Sequence, residues 1–394
     1  MQHPAPALGD RSLFPTLTAR AYLHHAGISP LSTPVLTAMS EAAADVAARG
    51  SEAFGTWGEQ REQLRHTLAS LVGGRAEDVG FVSNTAAGLN AVAWSMPFEC
   101  GDRVLLFDGE YPSNVSPFLR AAERHGIEVE LLSLEPFAAP GGADFSELEA
   151  ALKRGARLVS VSAVQFQSGL CMPLSEIAAR CHAAGARLCV DAVQACGAMP
   201  IDVEALGVDY LISGSHKWMM GPDGAGFVSI RPDALAELRP AVVGAMSYQG
   251  TLDMLMAGPG HLRYDHPPHT EARVFETGMV GTISFAGLGA AAELLGRLTP
   301  AAILDHVLEY GDRLETGLQE RGFASLRTAD RARQSGILAV VPPPGLLAHE
   351  LVPALAARGI VCGCPNGRLR FAPHWPNGFD EVDAVLEAID AIRA

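Results

Sequence analysis

From residue 78 to residue 230 the chain alternates short apolar runs with amphipathic segments, and this alternation constrains the fold more than any other feature. The runs are DVGFVS (78–83), RVLLFD (103–108), EVELLSL (128–134), RLVSVSAV (157–164), ARLCVD (186–191), VDYLIS (208–213) and AGFVSI (225–230). Helical patterns follow from Thr85 to about Met96, from near Pro112, over SELEAALKR and over LSEIAARCHAAG. Continuous apolar runs of roughly four to eight residues between helices are what a mostly parallel sheet buried on both faces requires. The expectation is an α/β domain over residues 31–255 with helices on both faces of its sheet. Helical patterns at 283–297, 300–321, 347–358 and 379–392 around the run GILAVV (336–341) predict a smaller α+β domain over 256–394, with residues 1–30 packing against it. The stretch 240–270 is rich in Gly, Pro and His and has no clean period, so it reads as a long connection of the kind that is often functional.

Composition narrows the partners. The 394 residues are 48% hydrophobic, enough for two cores. A formal net charge of -15 with no basic run argues against a nucleic-acid groove and against an anionic membrane surface. Seven cysteines, odd in number and without C-x-x-C spacing, signal neither a disulfide framework nor a metal site, and fit a reducing cytoplasm. The N-terminal stretch has no basic region followed by an apolar one, and no apolar run is long enough to span a bilayer. A small-molecule site is the remaining default.

In open parallel sheets ligands bind beyond the carboxyl ends of the strands, so the polar residues ending these runs carry the chemistry. Ser83-Asn84-Thr85 opens a helix whose first amides could hold a phosphate. FDGEYPSN places Tyr111 and Asn114 at the same rim. ARLCVDAVQ ends its strand with Asp191 and sets Gln194 three residues on, and a carboxylate there is costly to bury without a cation or a protonated nitrogen. VDYLISGSHK carries Lys217 onto that rim, where partial desolvation would make its amine a nucleophile for Schiff bases. A phosphate-binding turn, an aromatic ring, an acid and a lysine are the set that pyridoxal phosphate needs.

The order SNTAAGLN, EYPSN, VSAVQFQSG, DAVQACGAMPIDV, SGSHKWMMGPDGAGF resembles the fold type I pyridoxal-phosphate enzymes of the class V aminotransferase group, which includes cysteine desulfurases, selenocysteine lyases and isopenicillin N epimerase-like proteins. The resemblance runs from about YLHHAGISPL (22–31) to the C-terminus, and its most specific parts are D-x-x-Q at 191–194 and H-K-W at 216–218. It implies that Lys217 forms the Schiff base with the cofactor, Asp191 holds the pyridinium nitrogen, Gln194 bonds the ring oxygen and Tyr111 stacks on the ring. Asn84, Thr85, Ala86 and His216 would surround the phosphate, with Ser215 or Ser213 adding a hydroxyl. GRLRFAPHWPN (367–377) resembles the segment whose arginine grips a substrate α-carboxylate, which points to Arg370, and His25 is a further candidate for lining that pocket. The resemblance also implies a homodimer acting on an amino acid.

Three departures from the group's pattern stand out. Met279 follows Gly278 where relatives carry a Gly-Thr pair that reaches the phosphate across the dimer interface, leaving Thr277 or Thr282 for that contact. Phe166 stands where the group often has asparagine. Only five residues separate Cys364 from Arg370, so the long cysteine-bearing excursion of desulfurases is missing, and Cys362 and Cys364 read as strand residues. Transamination, the default reaction of the group it resembles, is the expected reaction, with C–S lysis or epimerisation on the same cofactor as alternatives. A nucleotide-dependent oxidoreductase is disfavoured, because no G-x-G-x-x-G follows the first strand. A non-catalytic binding protein on the same fold is disfavoured by the joint presence of Lys217, Asp191 and Gln194.

Overall fold

The computed structural model describes residues 3–139 and 142–393. Its strands are β1 (Ala21–Tyr22), β2 (Val79–Val82), β3 (Arg103–Phe107), β4 (Glu128–Leu132), β5 (Leu158–Ser162), β6 (Arg187–Asp191), β7 (Tyr210–Gly214), β8 (Gly226–Ile230), β9 (Ala324–Ser325), β10 (Leu338–Val341), β11 (Ile360–Val361) and β12 (Leu369–Phe371). Strands β2 to β8 form one sheet in the order β2-β8-β7-β6-β5-β3-β4. All its pairings are parallel except those of β8, which runs antiparallel to β2 and β7.

The inner runs became strands because both of their faces are covered, whereas β4, at the sheet's edge, is only partly buried. In β6, Leu188 and Val190 enter one hydrophobic cluster while Cys189 enters the cluster on the opposite face, beside Leu89 and Val92 of the helix Thr85–Ser95. Register then lines up the strand ends: Ser162 of β5 pairs with Asp191 of β6, and Asp191 pairs with Ile212 of β7. This alignment brings the polar residues that follow the runs to one edge.

A second, three-stranded antiparallel sheet, β12-β10-β9, packs with the helices Pro300–Glu320, Ala348–Ala356 and Asp380–Arg393 around a separate core. Strand β1 pairs in parallel with β11, and Ala21 and Leu23 are buried in that core. The helices Thr33–Arg49 and Phe54–Leu71 pack with the helix Thr282–Leu298. The first of them is hard to read from sequence, since only Val35 and Ala42 of its seventeen residues are buried. Within 240–270 there are two short helical turns, Ala245–Ser247 and Asp253–Met256, and the rest is irregular. No helix among the described residues is long and apolar enough to cross a membrane.

One close approach fixes the backbone at the sheet's edge. Gly197 sits at φ +99°, and a Cβ there would collide with the carbonyl of Trp218, next to Lys217. A side chain at that position is disfavoured by its dihedral and by the contact together. Gly197→Ala is expected to destabilise the protein by roughly 2 kcal/mol or more, read as a lower urea midpoint with an unchanged slope.

Candidate active site

Beyond the carboxyl ends of β2, β3, β5, β6 and β7 lies a cavity of about 550 Å³, which Cys364, Pro365 and Arg370 of the smaller unit also line. Asn84, Thr85, Ala86, Tyr111, Asp191, Gln194, His216, Lys217 and Arg370 all line it. Three candidates, His25, Ser213 and Ser215, do not. His25 is buried, with its Nδ1 bonded to Ser29 Oγ at 2.7 Å, and its neighbour His24 faces the cavity instead. Ser215 is buried with its hydroxyl donating to the carbonyl of Pro222, and Ser213 Oγ donates to Gly214 O at 3.2 Å, so neither hydroxyl reaches the lining.

Lys217 follows β7 on a segment held by backbone carbonyls. Ser29 Oγ donates to the carbonyl of Lys217 at 2.6 Å and Ser29 N to that of His216 at 2.8 Å. His374 Nε2 donates to the carbonyl of Trp218 at 2.8 Å, while the Trp218 indole donates to Gln194 Oε1 at 2.7 Å. Burial lowers the Lys217 pKa; the nearby Asp191 opposes the shift and Arg370 adds to it. The amine lies 5.4 Å from the centre of the Tyr111 ring, which meets Phe166 edge-on at 5.4 Å.

Asp191 is 4% exposed, and its Oδ1 accepts from Val193 N at 2.9 Å. Burial pushes its pKa up to about 6, against the pull of that amide and of Lys217, and Glu110 raises it further. Glu110 is a buried carboxylate that accepts from Ser162 N at 2.7 Å, Gln165 Nε2 at 2.9 Å and Asn114 Nδ2 at 3.0 Å. Its place in the run DGEYPSN, a charge just past an apolar strand, is the signal that could have singled it out. Arg370 Nη1 donates to the carbonyl of Phe166 at 2.7 Å, its Nε is buried without a partner, and burial lowers its pKa to about 10. Among the described residues no carboxylate pairs with it, so this guanidinium awaits an anion.

The unmet groups fit pyridoxal phosphate. At the start of the helix Thr85–Ser95, Asn84 Oδ1 already caps Ala87 N at 2.9 Å, which leaves the amides of Thr85 and Ala86 and the buried, unpartnered Thr85 Oγ1 at the cavity wall. A Cβ on Gly214 would come within 2.9 Å of that hydroxyl. Asp191 has one oxygen to offer a ring nitrogen. Gln194 Nε2 spends one hydrogen on Ala26 O at 3.1 Å and keeps a second.

Two cysteines sit beside Arg370 in unlike surroundings. Cys362 is buried, and burial pushes its thiol up to about 12. Cys364 is half-buried on the turn between β11 and β12 and lines the cavity, where sequence had read it as a strand residue.

The folded-state pKa of Asp191 lies above its ordinary 3.8, so the folded protein holds the extra proton between about pH 4 and pH 6. Stability from this group is complete below about pH 4 and is lost as pH rises through 6. Asp191→Asn is therefore expected to stabilise the cofactor-free protein at pH 8 by at most about 3 kcal/mol, with the difference vanishing near pH 4 in paired denaturation curves.

Comparison with known proteins identifies the family. The family model described as Aminotransferase class-V matches residues 21–364. A probable cysteine desulfurase of Methanothermobacter thermautotrophicus is 30% identical over 304 residues, covering 76% of this chain and 72% of its own length. The isopenicillin N epimerase of Streptomyces clavuligerus is 28% identical over 337 residues, 84% of each chain. Among solved structures, the cystine C-S lyase C-DES in complex with its product cysteine persulfide superposes with a TM-score of 0.86 at 26% identity, covering 95% of this chain and 98% of that one. With its sheet, its rim lysine and a family match across most of its length, the chain belongs to the class-V aminotransferase family.

Proposed function

We propose that this protein uses pyridoxal phosphate to cleave the Cβ–S bond of cysteine or a close relative of it, with Cys364 as the sulfur acceptor. The observation that carries the proposal is the joint presence in one cavity of Lys217, the unpaired Arg370 and the half-buried Cys364. The likeness to proteins named cysteine desulfurase and cystine C-S lyase supports this reading over the transamination expected from sequence.

The bound cofactor supplies an electron-withdrawing ring that labilises bonds at the substrate's Cα and Cβ. The chain's own residues do the rest. With the cofactor bound, Asp191 would hold the ring nitrogen, Tyr111 would cover the ring, and the amides of Thr85 and Ala86 with Thr85 Oγ1 would hold the phosphate. The fork of Arg370 takes the α-carboxylate in two hydrogen bonds, while its bond to Phe166 O keeps the fork aimed. Lys217, its pKa lowered by burial, is the group placed to take and return the proton at Cα. The Cys364 thiolate attacks the substrate sulfur; the S–S bond forms as Cβ–S breaks, the electron pair stays on Cβ, and protonation there yields alanine and a Cys364 persulfide. Cys362 cannot take that part, since burial keeps it a thiol.

A homodimer belongs to the same proposal. The turn at 277–281 borders a second cavity of about 380 Å³, which also touches Ser83 and Ala87 at the phosphate end of the helix, and Met279 on that turn is 62% exposed. Epimerisation at Cα is the second reading, favoured by the match to isopenicillin N epimerase across 84% of the chain. It requires Lys217 and Arg370 but not a thiol.

Protein loaded with pyridoxal phosphate is expected to show a visible band that borohydride fixes on Lys217, and to release sulfide and alanine in equal amounts from L-cysteine under reductant. Cys364→Ser is expected to lower sulfide release by on the order of 100-fold or more, and Lys217→Ala to abolish it. Amination of the cofactor without sulfide would mean transamination, undiminished sulfide from Cys364→Ser would mean lysis without a thiol acceptor, and α-proton exchange alone would mean epimerisation.

A further inference from the structure

Between Val164 and Cys171, which pair across a short antiparallel bridge, the chain makes a turn that begins Gln165-Phe166-Gln167. The three side chains serve different parts of the site. Gln165 Nε2 donates to Glu110 Oε1 at 2.9 Å, and the Phe166 ring meets Tyr111 edge-on. Gln167 reaches outward, to the smaller unit. Its Nε2 donates to Gly109 O at 3.0 Å, while its Oε1 accepts from Arg368 Nη1 at 2.6 Å and from Asn366 Nδ2 at 3.2 Å.

The partners of that oxygen lie on the turn that carries Cys364. The turn is closed at its base, where Gly363 N donates to Arg370 O at 3.0 Å and Arg370 N to Gly363 O at 2.8 Å. At its tip Asn366 adopts a left-handed conformation, φ 50° and ψ 42°, which asparagine tolerates better than most residues with a side chain. Among the described residues, the side chains of Asn366 and Arg368 cross to the larger unit through Gln167 Oε1 alone. The shoulder of this tip, Cys364 and Pro365, is cavity wall.

We infer that Gln167 is a positioning residue, a latch whose amide oxygen holds the 363–370 turn against the larger unit and so sets where the Cys364 thiol stands over Lys217. The kinetic consequence rests on the function proposed above, whereas the exposure of the thiol does not. Arg370 has its own tie to the larger unit through Phe166 O, so loss of the latch moves the thiol more than the carboxylate site.

The test uses cofactor-loaded protein in a Cys100→Ser background, because Cys100 is an exposed cysteine. Iodoacetamide labelling of Cys364 is followed by peptide mass, beside sulfide release from L-cysteine and α-deuterium exchange into L-alanine. In Gln167→Ala, labelling is expected to quicken about tenfold and kcat for sulfide release to fall about tenfold, the worth of one charge-assisted hydrogen bond. KM for cysteine and the alanine exchange rate should stay within about threefold of the parent, since neither needs the thiol. Arg368→Ala should reproduce both effects, and the double variant should add little to either. Gln167→Glu keeps the acceptor and should restore slow labelling. Unchanged labelling in Gln167→Ala, or effects of the two alanine variants that multiply in the double, would overturn the latch. If the parent releases no sulfide, the functional proposal fails, and the labelling rates still decide the latch; should Gln167→Ala not fold, Arg368→Ala and Gln167→Glu decide it alone.

Discussion

The site depends on one hydrogen bond, from Ser29 Oγ to the carbonyl of Lys217 at 2.6 Å. Ser29 spends its hydroxyl proton there, so His25 must donate to the same oxygen from Nδ1. On the other side of the lysine, His374 accepts from Trp375 N through Nδ1 and donates to Trp218 O through Nε2. Burial lowers the His374 pKa to about 4, so this neutral tautomer persists through the physiological range. Lys217 thus hangs between two carbonyl anchors drawn from opposite ends of the chain. Both anchors join residues far apart in sequence, Ser29 with Lys217 and His374 with Trp218, so the lysine's place depends on the whole fold and not on the end of β7 alone.

Around this anchor the protein keeps three ionisable groups in conditions that oppose their charge. Burial raises the pKa of Asp191 and lowers those of Lys217 and Arg370. Apolar residues of similar size would pack there at less cost. The arrangement is intelligible as a site that leaves its strongest hydrogen-bonding groups unmatched until a ligand matches them. Glu110 extends the pattern inward, since its carboxylate is fully engaged by Ser162, Gln165 and Asn114 and still adds negative charge behind Asp191.

Much of this was legible in the sequence because burial on both sides of a strand leaves a strong trace. All seven runs lie in the main sheet, and the rim position of Lys217, Asp191, Gln194 and Tyr111 followed from where the runs end. Legibility failed where direction, rather than burial, decides the outcome. His24 and His25 are neighbours, and only the bridge of His24 to Ala372 and the bond of His25 to Ser29 say which ring faces the cavity. Ser215 looked like a phosphate ligand by its place before Lys217, but its hydroxyl is taken by the turn at Pro222. Cys364 sits one residue before a Pro-Asn-Gly turn, and that turn ends the strand early enough to leave the thiol at the wall.

The contrast between the surface and the cavity has a consequence for selection at a distance. A chain of formal charge -15 surrounds itself with negative potential, and that potential extends about 8 Å at physiological salt. Arg370, without a carboxylate partner among the described residues, is a positive point inside that field. A zwitterion approaches such a molecule without net repulsion and turns its carboxylate inward at the mouth, whereas a dicarboxylic amino acid meets repulsion before it reaches the guanidinium. The field thus disfavours a ligand of net negative charge before any contact is made, and added salt weakens that bias.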